Sequence, residues 1–202
     1  RRIGLRWYAV ILLLFPALNG LALLLGTLAG DSVPAFERAA EFAADPVSLL
    51  PYAVFMVIFG PLPEELGWRG YALDGLQARW NALEASLILG FFWAIWHVPM
   101  FFMVGTYQAE LGVLTLTFWE FMIGATITSV LYTWIYNHTG RSILGAILFH
   151  FSGNVSGELV PHGPTGRLLP AVLTLLVVVV VISVYGPKTL TRCAPEQSSD
   201  TE

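Results

Sequence analysis

Apolar residues in this chain come in runs long enough to cross a bilayer core as helices, a length of about 20 residues. Six runs are read, at about 7–29, 47–62, 83–103, 113–136, 142–158 and 168–186. The second runs on as a helix past Pro61 and Pro63 towards residue 80, and the fifth is short. The reading is therefore all-α, a polytopic transmembrane helical bundle of about six spans, forming one unit over 1–187 with a polar tail over 188–202 that is expected to be disordered. The segment 31–46 carries Asp31, Glu37, Arg38, Glu41 and Asp45 and reads as an extramembrane loop with a short helix.

Composition supports that class. Of 202 residues 56% are hydrophobic and 12% charged, about half the charged share of a soluble domain. No basic stripe offers a nucleic-acid surface, so membrane lipid and a membrane-associated peptide or protein are the expected partners; oligomeric state is not set by the sequence. The one cysteine, Cys193, lies in the tail, so no intrachain disulfide forms. The first apolar run is too long for a cleavable signal and further runs follow it. Lysine and arginine bias sets orientation. With the N-terminus inside, Arg1, Arg2, Arg6, Arg69, Arg79, Arg141, Lys188 and Arg192 fall on or towards the cytoplasmic side, against Arg38 and Arg167 outside. An integral protein of a bacterial-type cell membrane with both termini cytoplasmic is expected.

Against this apolar background a few ionisable residues stand out. Glu64, Glu65 and Arg69 fall in GPLPEELGWRG, His97 in FFWAIWHVPMFF, and His150 and Asn154 in ILFHFSGN. Charge at membrane depth costs several kcal/mol, so such groups face a protein interior and mark function. Spacing brings them together. The polar stretch Asp74–Glu84 reads as a hairpin turn centred near residue 80, and Glu64 and His97 lie at similar distances along its two arms. At a rise of about 1.5 Å per residue, Glu64 lies ~15 Å below Asp74 and His150 ~12 Å below Ser142. Glu64, His97 and His150 are thus expected at one level in the cytoplasmic half. His150 and Asn154 share a helix face, and Glu65 and Arg69 are spaced as an ion pair. Pro61 and Pro63 place the two glutamates in the first turn of a new helical segment, where the helix dipole favours negative charge.

A glutamate with a histidine can hold and deprotonate water, while a second histidine and an amide donate to a developing oxyanion. That suits hydrolysis of a carbonyl compound, most naturally a peptide bond. A metal version is equally drawable, with Glu64, His97 and His150 as ligands and a fourth position for water. HExxH and GxSxG are both absent. A proton-coupled transporter using the same groups, or a non-catalytic peptide-binding or bacteriocin-immunity protein, are the alternatives.

The same residues carry a family resemblance. EELGWR is similar to the EExxxR motif of the CAAX-protease and bacteriocin-processing family, the Abi family of intramembrane endopeptidases. WAIWH stands where that family has FxxxH, with Trp93 replacing phenylalanine, and HFSGN resembles its HxxxN motif. The resemblance covers 62–155. It implies that Glu64 activates water, that His97 helps to bind it, and that Glu65 and Arg69 complete the first motif. It further implies that His150 and Asn154 stabilise the oxyanion in a metal-free mechanism, or that His150 is a ligand in a zinc one. The paired donors on one helix face favour side-chain-activated water over zinc. Family members include enzymes that remove a C-terminal tripeptide after a lipidated cysteine.

Other residues have plainer readings. Trp68, Phe92, Trp93 and Trp96 read as packing residues, Glu120 as a site residue or a helix contact, and His138 and His162 as interfacial and loop residues. Gly26–Gly30 and Gly153–Gly157 read as close helix contacts.

Overall fold

The computed structural model describes residues 3–191, and among them there is no strand. Cys193, Arg1, Arg2 and Arg192 lie outside the described residues. The expected spans return as helices. They are α1 (Leu5–Leu28), α3 (Leu49–Phe59), α6 (Ala82–Trp96), α8 (Leu116–His138), α9 (Ile143–Leu159) and α10 (Leu169–Tyr185), with α2 (Glu37–Ala44) in the first loop. A short helix at Tyr107–Leu111, α7, was not foreseen. The stretches Leu5–Leu28, Pro46–Gln77 and Ala82–Phe102 are long and apolar enough to cross a membrane; Leu169–Tyr185 is apolar but shorter. The protein is an integral membrane protein built as a polytopic helical bundle.

Its burial pattern is the reverse of a water-soluble fold. Leu5 is 86% and Phe59 72% exposed, whereas Glu65 and Arg69 are 0% exposed. Helices that are apolar on every side can meet lipid anywhere, so polar groups collect where helices meet. The C-terminal half of α8 is the axis of the bundle, with Ser129–Tyr136 buried throughout. α6 packs along it more closely than any other pair of helices. At Gly90 an added Cβ would lie 2.5 Å from the Thr126 carbonyl oxygen and 2.7 Å from the Ser129 Cβ. Gly90→Ala is expected to force α6 from α8 and cost about 1–3 kcal/mol, measured as a fall in Tm of the detergent-purified protein.

The second span is broken where the prolines begin. Gly60, at φ −127° and ψ −99°, separates α3 from α4 (Pro61–Gly67), which starts with Pro61 and carries Glu64 in its first turn. α4 continues through a π-helical turn, Trp68–Ala72, into α5 (Leu73–Gln77). The hairpin to α6 closes at Asn81, whose side chain accepts from the Glu84 N–H at 3.0 Å while Glu84 accepts from the Asn81 N–H at 3.2 Å. This reciprocal box satisfies donors that a helix start otherwise leaves unpaired.

The two ends of the bundle differ. One gathers Asp74, Gln77, Asn137, Arg141 and Lys188, with Arg141 on Asp74 at 3.3 Å. Ala82 N–H donates to the Lys188 carbonyl at 2.9 Å, and Leu190 is fully buried. Ordered packing thus continues past residue 188 to the end of the described residues. Arg69, placed by sequence on the cytoplasmic side, is instead inside the bundle and does not count among the end charges.

At the other end, Asp31 accepts from the Thr165 N–H at 3.0 Å and the Gly166 N–H at 2.6 Å. Glu120 is tied to Arg167 at 3.1 Å, a structural contact away from the site. Gly26 owes its small size to Asp31 and Gly166, which a Cβ would approach at 2.9 Å, and Gly153 to Phe15 on α1. Gly30 and Gly157 have nothing within 4 Å, so the spacing marks one close contact in each pair.

Desolvation raises the Asp31 pKa, but the amide donors of Thr165 and Gly166 outweigh it and leave the carboxyl below its ordinary value. A depressed folded-state pKa contributes stability above the unfolded value and loses it as pH falls through the folded one. Wild-type Tm is therefore expected to fall as pH drops below about 4, the range of an ordinary aspartate, while Asp31→Asn starts lower and lacks this pH-dependent component.

Candidate active site

Glu65 lies nine positions before Asp74, and His150 nine positions after Arg141. Asp74 and Arg141 pair at the end of the bundle, and Glu65 and His150 pair inside it, at 2.8 Å from Oε1 to Nδ1. His150 lies seven positions after the start of α9 at Ile143 and Glu65 nine before Asp74 through the π turn, so both lie roughly 10–13 Å from that end. Glu65 Oε1 also accepts from Arg69 Nη1 at 3.0 Å. Arg69 Nη2 donates to Ser129 Oγ at 3.3 Å, and the guanidinium lies 4.2 Å from the Tyr132 ring centroid and 4.8 Å from that of Trp93. This cation is completely buried, against a carboxylate, a hydroxyl and two aromatic faces. The π turn contains Arg69, and its closing bond runs from the Leu73 N–H to the Trp68 carbonyl. Such turns recur at functional sites.

Trp93 is the hub that sequence reading assigned to packing. Its Nε1–H donates to Glu64 Oε2 at 2.5 Å. Its ring stands edge-on to His97 at 5.8 Å and to His150 at 5.4 Å. Glu64, His97 and His150, expected at one level, are thus grouped around one indole. The signal was available: Trp93 precedes His97 by four residues and so shares its helix face. Tyr132 and Ser129 on α8 were missed because that span carries no motif. Phe92 and Trp96 are more than half exposed and face outward, while Trp68 is half-buried.

Hydrogen bonding fixes the imidazole roles. His97 is the C-cap of α6, immediately before a 3₁₀ turn at Val98–Phe102, and its Nδ1 lies 2.7 Å from the Trp93 carbonyl. A carbonyl only accepts, so Nδ1 carries the hydrogen and Nε2 of the neutral ring is left as an acceptor. His150 Nδ1 likewise donates to the Glu65 carboxylate. Once Nε2 is also protonated, His150 is an imidazolium held by Glu65, with Nε2–H free to donate.

Exposure grades across the site. Glu65, Arg69, Trp93, His97 and His150 are buried, Glu64 is intermediate and Asn154 is exposed. Asn154 lies one turn after His150 on α9, and its Nδ2 is 3.8 Å from where a Cβ on Gly60 would sit. The break at Gly60 therefore brings Asn154 against the start of α4. α9 is held in this rotation by Ser152 donating to the Leu12 carbonyl at 3.0 Å and by Asn19 Nδ2 donating to Ser156 Oγ at 3.3 Å. His162, read as a loop residue, reaches Asn19 Oδ1 with Nε2 at 3.0 Å and braces the same contact.

Among the described residues no group of three or more His, Cys, Asp or Glu is disposed to hold a metal ion. Glu64, His97 and His150 lie around Trp93 and do not form such a group. The residues present do not fit the zinc arrangement in this geometry.

The sequence of this site also has a family. The model of the Rce1-like type II CAAX prenyl endopeptidases matches residues 46–156, more than half the chain. The chain belongs to this Rce1-like family. CAAX prenyl protease 2 of Methanococcus maripaludis is 32% identical over 185 residues, covering 89% of this chain. The chain spans 66% of that relative's length. The Rce1-like match begins ahead of α3 and ends within α9, so it takes in every site residue from Glu64 to Asn154 and leaves α1 and α10 outside.

Proposed function

We propose that this protein is an intramembrane endopeptidase that hydrolyses a peptide bond of a membrane-associated, prenylated protein or peptide by attack of activated water. The observation that carries the reading is the Glu65–His150 pair beside Glu64 and His97 around Trp93, inside a chain of this family. Glu64 is the general base: one carboxylate oxygen is oriented by Trp93, and the side chain is accessible. His97 Nε2 accepts from the same water and aims it. As the water oxygen attacks the carbonyl carbon, its proton passes to Glu64, and charge develops on the carbonyl oxygen. Nε2–H of the His150 imidazolium and the Asn154 amide donate to that oxygen. Glu64 then gives its proton to the leaving amine as the carbon–nitrogen bond breaks. Glu65, itself held by Arg69, acts through His150 by orienting its ring.

The proposed orientation places both chain ends on the cytoplasmic side. Arg6, Arg79, Arg141 and Lys188 lie at one end of the bundle against Arg38 and Arg167 at the other, which supports this sense. The site is then reached from the cytoplasm.

The test is release of a C-terminal tripeptide from a farnesylated peptide by the purified protein. His97→Ala is expected to slow cleavage by about 10²–10⁴-fold. Cleavage is expected to survive exhaustive chelation. No cleavage by wild type, together with pH-gradient-driven flux in liposomes, would favour a transporter instead. Trp93→Phe, which keeps the ring and removes the donor to Glu64, is expected to lower kcat about tenfold or more with little change in Tm, read by steady-state kinetics and thermal unfolding.

A further inference from the structure

Two cavities open side by side at the end of the bundle where Asp74 meets Arg141, and Trp80 lines both. The first, of about 310 Å³, is polar and is walled by Gln77, Asn137, Arg141, Lys188 and Thr189. The second, of about 420 Å³, lies on the flank between α5 and α6 and is walled by Trp68, Leu76, Ile88 and Phe92, with Arg79 at its edge. Neither contains a residue of the proposed active site.

The polar cavity is built before any ligand arrives. Gln77 and Asn137 exchange hydrogen bonds at 2.8 and 3.3 Å, and Asn137 also donates to the Thr189 carbonyl at 2.9 Å. Lys188 is fixed by its backbone, which accepts from Ala82, while its ammonium meets no carboxylate among the described residues. Arg141 shares Asp74. Glu84, the other acid of this hairpin, is turned into the cap of α6. Among the described residues, two cations against one carboxylate leave the cavity with an excess positive charge.

We infer that the two cavities together bind one anionic phospholipid. Its phosphate sits between Lys188 and Arg141, and one acyl chain follows the cleft along Leu76, Ile88 and Phe92. A free phosphate would account for the cations but not the adjoining apolar cleft. A zwitterionic lipid would account for the cleft but gain little from the unpaired ammonium. Trp80, placed between headgroup and chain, has the amphipathic ring found at membrane interfaces, and basic groups there attract anionic lipid. Bound there, the lipid joins α5 and α6 to the ends of α8 and α10.

The inference is tested by native mass spectrometry of the detergent-purified chain with phosphatidylglycerol, phosphatidylcholine and soluble glycerol 3-phosphate. Wild type is expected to retain phosphatidylglycerol in preference to phosphatidylcholine. Lys188→Gln, which leaves the backbone bond to Ala82 intact, should weaken that retention about fivefold, the effect of one cation near an anionic surface. Lys188→Glu should abolish the preference, and Ile88→Trp, which fills the cleft, should weaken both lipids. Equal retention of the two lipids by wild type, or an unchanged preference in Lys188→Glu, overturns the inference. So does displacement of phosphatidylglycerol by equimolar glycerol 3-phosphate, which assigns the site to the headgroup alone. Displacement by a farnesylated peptide but not by excess phosphatidylglycerol assigns the cleft to a substrate and equally overturns it. None of these readouts depends on peptidase activity.

Discussion

Arg69→Met is expected to destabilise the folded protein by about 3–5 kcal/mol, because it removes the buried guanidinium paired with the Glu65 carboxylate. Arg69 and Glu65 are both completely buried. The guanidinium also fills the space between Trp93 and Tyr132, so the loss includes packing as well as charge. The partner variant Glu65→Leu strands the arginine instead and removes the acceptor of His150. In the double variant no uncompensated charge remains. Thermal unfolding is expected to show the double variant as more stable than either single one, with a coupling free energy of about 1 kcal/mol or more. The recovered fold is expected to be inactive, since His150 has lost the carboxylate that orients its ring. A single Arg69→Met variant with wild-type Tm would show that the buried pair is not what organises this interior.

Glu64→Gln is expected to behave in the opposite way. The amide oxygen still accepts from Trp93 Nε1, and the side chain is only half-buried, so Tm should change little. The amide cannot take a proton from water. Cleavage of a farnesylated peptide should therefore fall by about 10²–10⁴-fold, with the fall in kcat rather than KM, because substrate contacts are retained. A Glu64→Gln protein that folds and cleaves at the wild-type rate would move the general base elsewhere in the site, with Glu65 the nearest carboxylate.

The two variants separate the inner pair from the outer base, a distinction that sequence only partly made. Spacing was sufficient to group Glu64, His97 and His150, which gather around Trp93, but it did not single out the Glu65–His150 contact. Pro61 and Pro63 were sufficient to place Glu64 at the start of a new helical segment, but the break in the backbone at Gly60 was not anticipated. For Arg69, spacing was sufficient for the ion pair with Glu65 but not for the enclosure of the guanidinium by Ser129, Tyr132 and Trp93, and two of those come from α8, where no motif points to them. Trp93 was misjudged for a related reason: a tryptophan in an apolar run is usually packing, and only the approach of Glu64 from another helix gives its N–H a task. His97 was expected inside a continuous helix; Pro99 ends α6 at that point, so the imidazole caps the helix instead.

The most direct test of the account is product analysis after the purified protein cleaves a farnesylated peptide in ¹⁸O-labelled water. Side-chain-activated water predicts a free C-terminal tripeptide, one ¹⁸O in the new carboxylate of the farnesyl-cysteine fragment, and no covalent adduct on the protein at any stage of a single turnover. An acylated protein, or no cleavage by a folded wild-type chain, would contradict it.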